Sequence, residues 1–217
     1  MLFKKIKPFQ IFLKKYKLNH SLLKQELSSE YDTYIKLKEW FKGKKINKKK
    51  LLIYYPGCGS DISSLLLVLD AISDSKEIEV VFVDIRDFYD GILNQLHTYA
   101  PGVWIVNHVL NEKYSATAYY KDLTIKINYY ISDAESFFPP DCKKNIDIYY
   151  ERAFEIFRSD NSMINYPIFK NIKPLGFLIS DYGFNFKTQK KSFKKLKKIP
   201  KVFGLYNNFQ IWQKVKK

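Results

Sequence analysis

Gly57 and Gly59 are two of only eight glycines in the chain. They stand one residue apart where an apolar run, Leu51 to Pro56, stops. Glycine has no Cβ, so its backbone can lie close to a ligand and adopt positive φ. Between a strand and a helix, a Gly-x-Gly leaves room for a bound group; an ordinary tight turn uses the same pair. Asp84 closes a second apolar run, Val80 to Val83. A carboxylate at a strand end can accept both hydroxyls of a ribose, and strand-ending aspartates also cap helices. The loop and the acid together are more specific than either one.

Three further stretches carry reactive types. They are Ile131-Ser132-Asp133-Ala134, Tyr149-Tyr150-Glu151-Arg152 and Ser180-Asp181-Tyr182. His97 and His108 stand alone, outside any metal spacing, and read as structural. Cys58 and Cys142 are too far apart in sequence to mark a disulfide framework or a zinc site, and they point to a reducing, cytoplasmic setting. No metal is expected from this pattern.

These residues need elements to position them. Leu51–Tyr55, Ile78–Asp84, Val103–Val109, parts of 116–134, Asn145–Glu151 and Pro174–Gly183 read as strands. Asp61–Ser75 and Arg86–Ala100 read as helices, with Asp61 or Ser60 capping the first. Strands alternating with helices predict an α/β domain with a doubly wound, mostly parallel sheet, and ligands bind at its carboxyl edge. Val202–Asn208 and Phe209–Val215 are expected to form a terminal antiparallel hairpin. Leu23, Leu27, Tyr31, Tyr34, Leu37 and Phe41 recur at helical spacing ahead of the charged stretch 43–50. The expected division is a basic helical extension over 1–47 and the α/β domain over 48–217.

In this order the features resemble the class I S-adenosylmethionine-dependent methyltransferases over roughly residues 48–185. The resemblance implies that Gly57-Cys58-Gly59 wraps the methionine part of S-adenosylmethionine and that Asp84 holds the ribose. It implies that Asp133 and Ala134 lie against the adenine. Tyr55, Ile85 and Tyr150 join the implied cofactor contacts. Glu151 and Asp181, after the fourth and fifth strands, are implied as bases, and Arg152 and Tyr182 as acceptor contacts. Ile146-Asp147-Ile148-Tyr149-Tyr150 and Ile172-Lys173-Pro174-Leu175-Gly176 match the family's fourth strand and the turn before its fifth. The chain departs from the pattern at Tyr55, where the family often has an acid, and at Asp61, where it has a third glycine. Tyr150-Glu151-Arg152-Ala153 lacks the Asn/Asp-Pro-Pro-aromatic of adenine amino methyltransferases.

Charge frames the acceptor. Lys and Arg number 37 against 22 acids, a net charge of +15. Residues 1–50 carry 15 basic and 4 acidic groups, 51–186 carry 11 and 18, and 187–217 carry 11 and none. Two basic ends around an acidic middle favour RNA or another polyanion, or an acidic small molecule, with Lys194 and Lys195 as contacts. Solvated lysine faces would look the same. No run is long and apolar enough for a membrane span. The competing class is a non-enzymatic Rossmann-like module with a degenerate loop, binding nucleic acid or protein through its basic ends. A nicotinamide dehydrogenase fits less well, since Ile62 stands where Gly-x-Gly-x-x-Gly has its last glycine.

Overall fold

The two apolar runs that precede Gly57 and end at Asp84 are neighbouring strands. β1 (Lys50–Pro56) and β2 (Glu77–Asp84) pair in parallel, from Lys50 opposite Glu77 to Pro56 opposite Val83. Both are buried along nearly their whole length. Strands covered on both faces are continuously apolar, which is why alternation is missing from their sequences. The computed structural model describes residues 18–110, 113–119, 123–143, 145–152, 168–181, 192–200 and 208–216.

Around this pair the chain adds β3 (Trp104–Leu110), β4 (Lys113–Tyr119), β5 (Thr124–Ile131), β6 (Ile146–Glu151), β7 (Ile172–Ser180), β8 (Phe193–Pro200) and β9 (Asn208–Lys214). Among the described residues the sheet has nine strands in the order β3-β4-β5-β2-β1-β6-β7-β9-β8. β5, β2, β1, β6 and β7 run parallel. Antiparallel strands flank them on both sides. The carboxyl ends of the five parallel strands therefore form one edge, carrying in order Ile131, Asp84, Pro56, Glu151 and Ser180.

Among the described residues, the α-helices in the amino-terminal half of the chain are α1 (His20–Glu26), α2 (Ser28–Trp40), α3 (Ser63–Ile72) and α4 (Tyr89–Tyr99). They pack on one another: α2 on α3, α1 on α2 and α4, and α3 on α4. The N-terminal extension shares the main core. Leu23, Tyr34, Leu37 and Phe41 are buried in one cluster with Ile53, Tyr55, Phe82 and Tyr150. On the other face, Tyr54, Tyr149 and Val83 pack with Cys142, Ile168 and Phe169. The tyrosine pairs thus split across the sheet, as the two-residue strand period requires.

Three expectations change. The helix expected across the extension is broken at Leu27, whose ψ of 53° is not helical; residues 1–17 lie outside the described ones. β3 and β4 form an antiparallel pair at one edge, a hairpin that the apolar pattern does not announce. The terminal hairpin uses β8 rather than 202–208 as the first arm; most of that expected arm lies outside the described residues. The β8 sequence, Phe-Lys-Lys-Leu-Lys-Lys-Ile-Pro, reads as a solvated lysine run. Lysines and a proline also protect an outermost strand from unwanted pairing, and β8 is outermost.

Candidate functional site at the carboxyl edge

The glycine loop leaves β1 with positive φ at both glycines, 59° at Gly57 and 53° at Gly59. Gly57 N–H donates to the Val83 carbonyl at 2.8 Å, and Gly59 N–H donates to Asp84 Oδ2 at 2.9 Å. Asp84 Oδ1 accepts the Arg86 N–H at 3.2 Å. The strand-end acid thus fixes the loop as well as facing the edge. A Cβ built on Gly59 would meet nothing within 4 Å. Space is open above this residue. Gly91 of α4 shows the opposite case: an added Cβ would come within 2.8 Å of Ser60 Cβ, so this glycine lets the helix approach the loop from behind.

Beside Asp84 the edge is apolar. Ile85 is 66% exposed, and Ile131, opposite Asp84 in the ladder, is 48% exposed. Ser132 N–H donates to the Asp84 carbonyl at 2.8 Å, which holds the next loop against it. In that loop Asp133 is exposed and its carboxylate is engaged locally, accepting the Glu135 N–H at 2.9 Å and lying 3.2 Å from Ser136 Oγ. Ala134 packs against the lower core.

Tyr55, Cys58 and Tyr150 are buried beneath the loop. Tyr55 O–H donates to Asp61 Oδ2 at 2.9 Å, and Tyr150 Oη lies 2.8 Å from Ser64 Oγ. Burial, then the Asp61 carboxylate, pushes both phenols well above their ordinary pKa. Burial, then Asp84, raises the Cys58 thiol, so it stays protonated and is no nucleophile. These three side chains support the loop from below.

Asp61, at the third-glycine position, has a defined task. Its Oδ1 accepts the Ser64 N–H at 3.0 Å, capping α3 as expected. Gln95 Oε1 accepts Ile62 and Ser63 N–H at 3.2 and 3.4 Å. The amides that would bind a pyrophosphate at this helix start are taken, and a carboxylate sits among them. A dinucleotide is disfavoured on both counts.

An ion cluster around Arg152, with no signal in the local sequence, joins these elements. The Arg152 guanidinium meets Glu30 of α2, Asp61 Oδ2 at 3.4 Å and Asp181 Oδ2 at 3.7 Å. Burial opposes the Arg152 charge, but Asp61 and then Tyr150 and Glu30 outweigh it, and its pKa lies above the ordinary value. One cation joins the glycine loop, the ends of β6 and β7, and the N-terminal layer. Nothing in the sequence around Glu30 marks it for this. Glu151 is buried and accepts the Tyr149 O–H at 2.6 Å.

The expected residues do not all converge. Tyr182 lies outside the described residues. Lys194 and Lys195 are exposed on β8, four strands from β1, roughly 19 Å at the usual strand spacing. They are level with Phe177 and Leu178, short of the carboxyl edge, whereas Lys198 is level with Ser180. Lys195 Nζ lies 4.7 Å from the Trp212 ring centre.

No family model matches the chain, and no curated protein matches it by sequence. Solved structures do match. The CurJ carbon methyltransferase superposes with a TM-score of 0.52 at 13% identity, over 91% of this chain and 57% of its own. A putative S-adenosylmethionine-dependent methyltransferase from Listeria monocytogenes aligns over 88% of this chain and 100% of its own, at 9% identity and a TM-score of 0.49. A methyltransferase from Geobacter sulfurreducens aligns over 94% and 93%, at 14% identity and a TM-score of 0.46. This chain spans little more than half of the CurJ structure, 57%. The first of these likenesses establishes the fold. It is the Rossmann-like α/β fold of class I S-adenosylmethionine-dependent methyltransferases, with antiparallel strands at both sheet edges and an N-terminal helical layer.

Proposed function

We propose that this chain is an S-adenosylmethionine-dependent methyltransferase. One observation carries the reading: a positive-φ glycine loop lies open above Gly59, and the strand-end acid Asp84 is bound to it. The fold supplies the context. Gly57 and Gly59 would bring backbone against the cofactor, Asp84 would accept its ribose hydroxyls, and Ile85 and Ala134 would offer apolar surface to its adenine. When bound, the cofactor would supply a methyl group on a sulfonium, whose bond to sulfur would break as the acceptor's bond to the methyl carbon forms, with S-adenosylhomocysteine as the leaving group. The protein's share is to hold the acceptor in line and exclude water. Glu151 or Asp181 would take the acceptor's proton where the acceptor must lose one.

Calorimetry against S-adenosylhomocysteine tests this reading. Asp84→Asn keeps an acceptor for Gly59 N–H but loses the charge. We expect binding at least about tenfold weaker, from a charge-assisted bond worth roughly 1.5–3 kcal/mol. Wild-type protein that fails to bind S-adenosylhomocysteine would instead support the non-enzymatic module.

RNA or an acidic small molecule is the acceptor class that the basic ends favour. The four lysines of β8, Lys194, Lys195, Lys197 and Lys198, are the observation behind the polyanion. Replacing all four with Gln is expected to weaken single-stranded RNA binding. It should also flatten the fall of log affinity with log salt, by about 0.7 for each phosphate that no longer meets a lysine. S-adenosylhomocysteine affinity should stay unchanged, because these positions are strands away from the loop. Equal RNA binding by the Gln variant returns the acceptor to small molecules.

A further inference from the structure

We infer that the outer edge of β3 is where two copies of this chain pair, β3 against β3 in antiparallel about a twofold axis. The two ends of the sheet are treated in opposite ways. β8 carries four lysines and ends in proline. β3, at the other end, reads Trp-Ile-Val-Asn-His-Val-Leu and has no charged residue. An open edge presents a row of unpaired N–H and C=O groups, and proteins that must stay single block it with charge, proline or a bulge. β3 has none of these. Its seven residues pair without irregularity on β4, and among the described residues no strand lies beyond it. Trp104 is 62% exposed, with Tyr119, its cross-strand neighbour, at 46%. Asn107 and His108 are exposed, and Ile105 and Val106 are partly so.

A second copy is the occupant because the strand is complementary to itself. A twofold axis through Asn107 sets Trp104 opposite Leu110, Ile105 opposite Val109, and Val106 opposite His108. No charge meets a like charge. In a chain of net charge +15, this is an edge where two copies can approach without lysine meeting lysine. The lysine strand lies eight strand spacings away, roughly 38 Å, several Debye lengths in physiological salt. A single strand pair falls at the low end of interface size, below about 1,200 Å², so the dimer is expected to be weak, on the order of 10 μM.

Sedimentation velocity of the full chain between about 2 and 200 μM reads the equilibrium, and hydrogen exchange at both concentrations locates it. The expected result is a sedimentation coefficient that rises with concentration, with amide protection of 104–110 rising in step. Val106→Lys and His108→Lys each enter a twofold interface twice. Each should weaken dimerisation at least about tenfold while circular dichroism and Tm match wild type. Three results overturn the inference. One is a monomer at every concentration. Another is a dimer that neither variant weakens. The third is protection of 104–110 that is equal at both concentrations, which would mean that the chain's own residues cover the edge.

Discussion

Gly59→Val should abolish S-adenosylhomocysteine binding while leaving the protein folded. The backbone at Gly59 has φ of 53°, where a β-branched residue is strained. The left-handed conformation costs an L-residue about 1–2 kcal/mol. A domain with a typical stability of about 5–15 kcal/mol survives that. The fold offers no steric objection beyond the strain, since nothing lies within 4 Å of the added Cβ. The two valine methyl groups would therefore project into the open space above the loop, where the cofactor is proposed to lie. We expect at least about a hundredfold loss of affinity, near 2.7 kcal/mol. Gly59→Ala separates strain from occlusion: it carries similar backbone strain with far less bulk, so it should lose less affinity at a similar Tm. Calorimetry beside thermal unfolding makes the comparison. Wild-type affinity in the valine variant would show that the glycine serves only the turn.

The features this prediction rests on were legible in the sequence because they are local. A glycine pair after an apolar run and an acid at the end of the next run need only neighbouring residues to be read. The parallel centre was legible for the same reason, since strands covered on both faces are continuously apolar. β8 was not, because the lysines that protect a sheet edge look like solvated surface until the edge is known. The pairing of β3 with β4 depends on which strand lies outermost, and no residue type states that. The contact of Glu30 with Arg152 spans 122 positions. It exists only because α2 packs against α3 and brings a surface-like glutamate over the end of β6. Asp61 falls between these cases. Its cap was readable from its place before a helix, but its salt bridge was not.

Arg152→Met should give the largest loss of stability among single substitutions at the edge. Methionine keeps much of the length and removes the charge. Glu30, Asp61 and Asp181 would then stand close together without their shared cation. Removing one partner of a buried ion pair costs about 3–5 kcal/mol, because the other charge is left uncompensated. These side chains are 16–26% exposed, so water screens part of the repulsion and about 3 kcal/mol is the better expectation. In a chain of this length that lowers Tm by roughly 6–12 °C. Arg152→Lys should lose less, since it restores the charge without the planar fork that meets several carboxylates at once. Glu30→Gln removes one contact and leaves a guanidinium still paired twice, so about 1 kcal/mol is expected. Thermal unfolding of the three variants beside wild type measures these losses. An Arg152→Met variant with unchanged Tm would mean that the cluster adds nothing to the fold, and an Arg152→Lys variant that loses as much as Arg152→Met would mean that the shared charge is not what holds it.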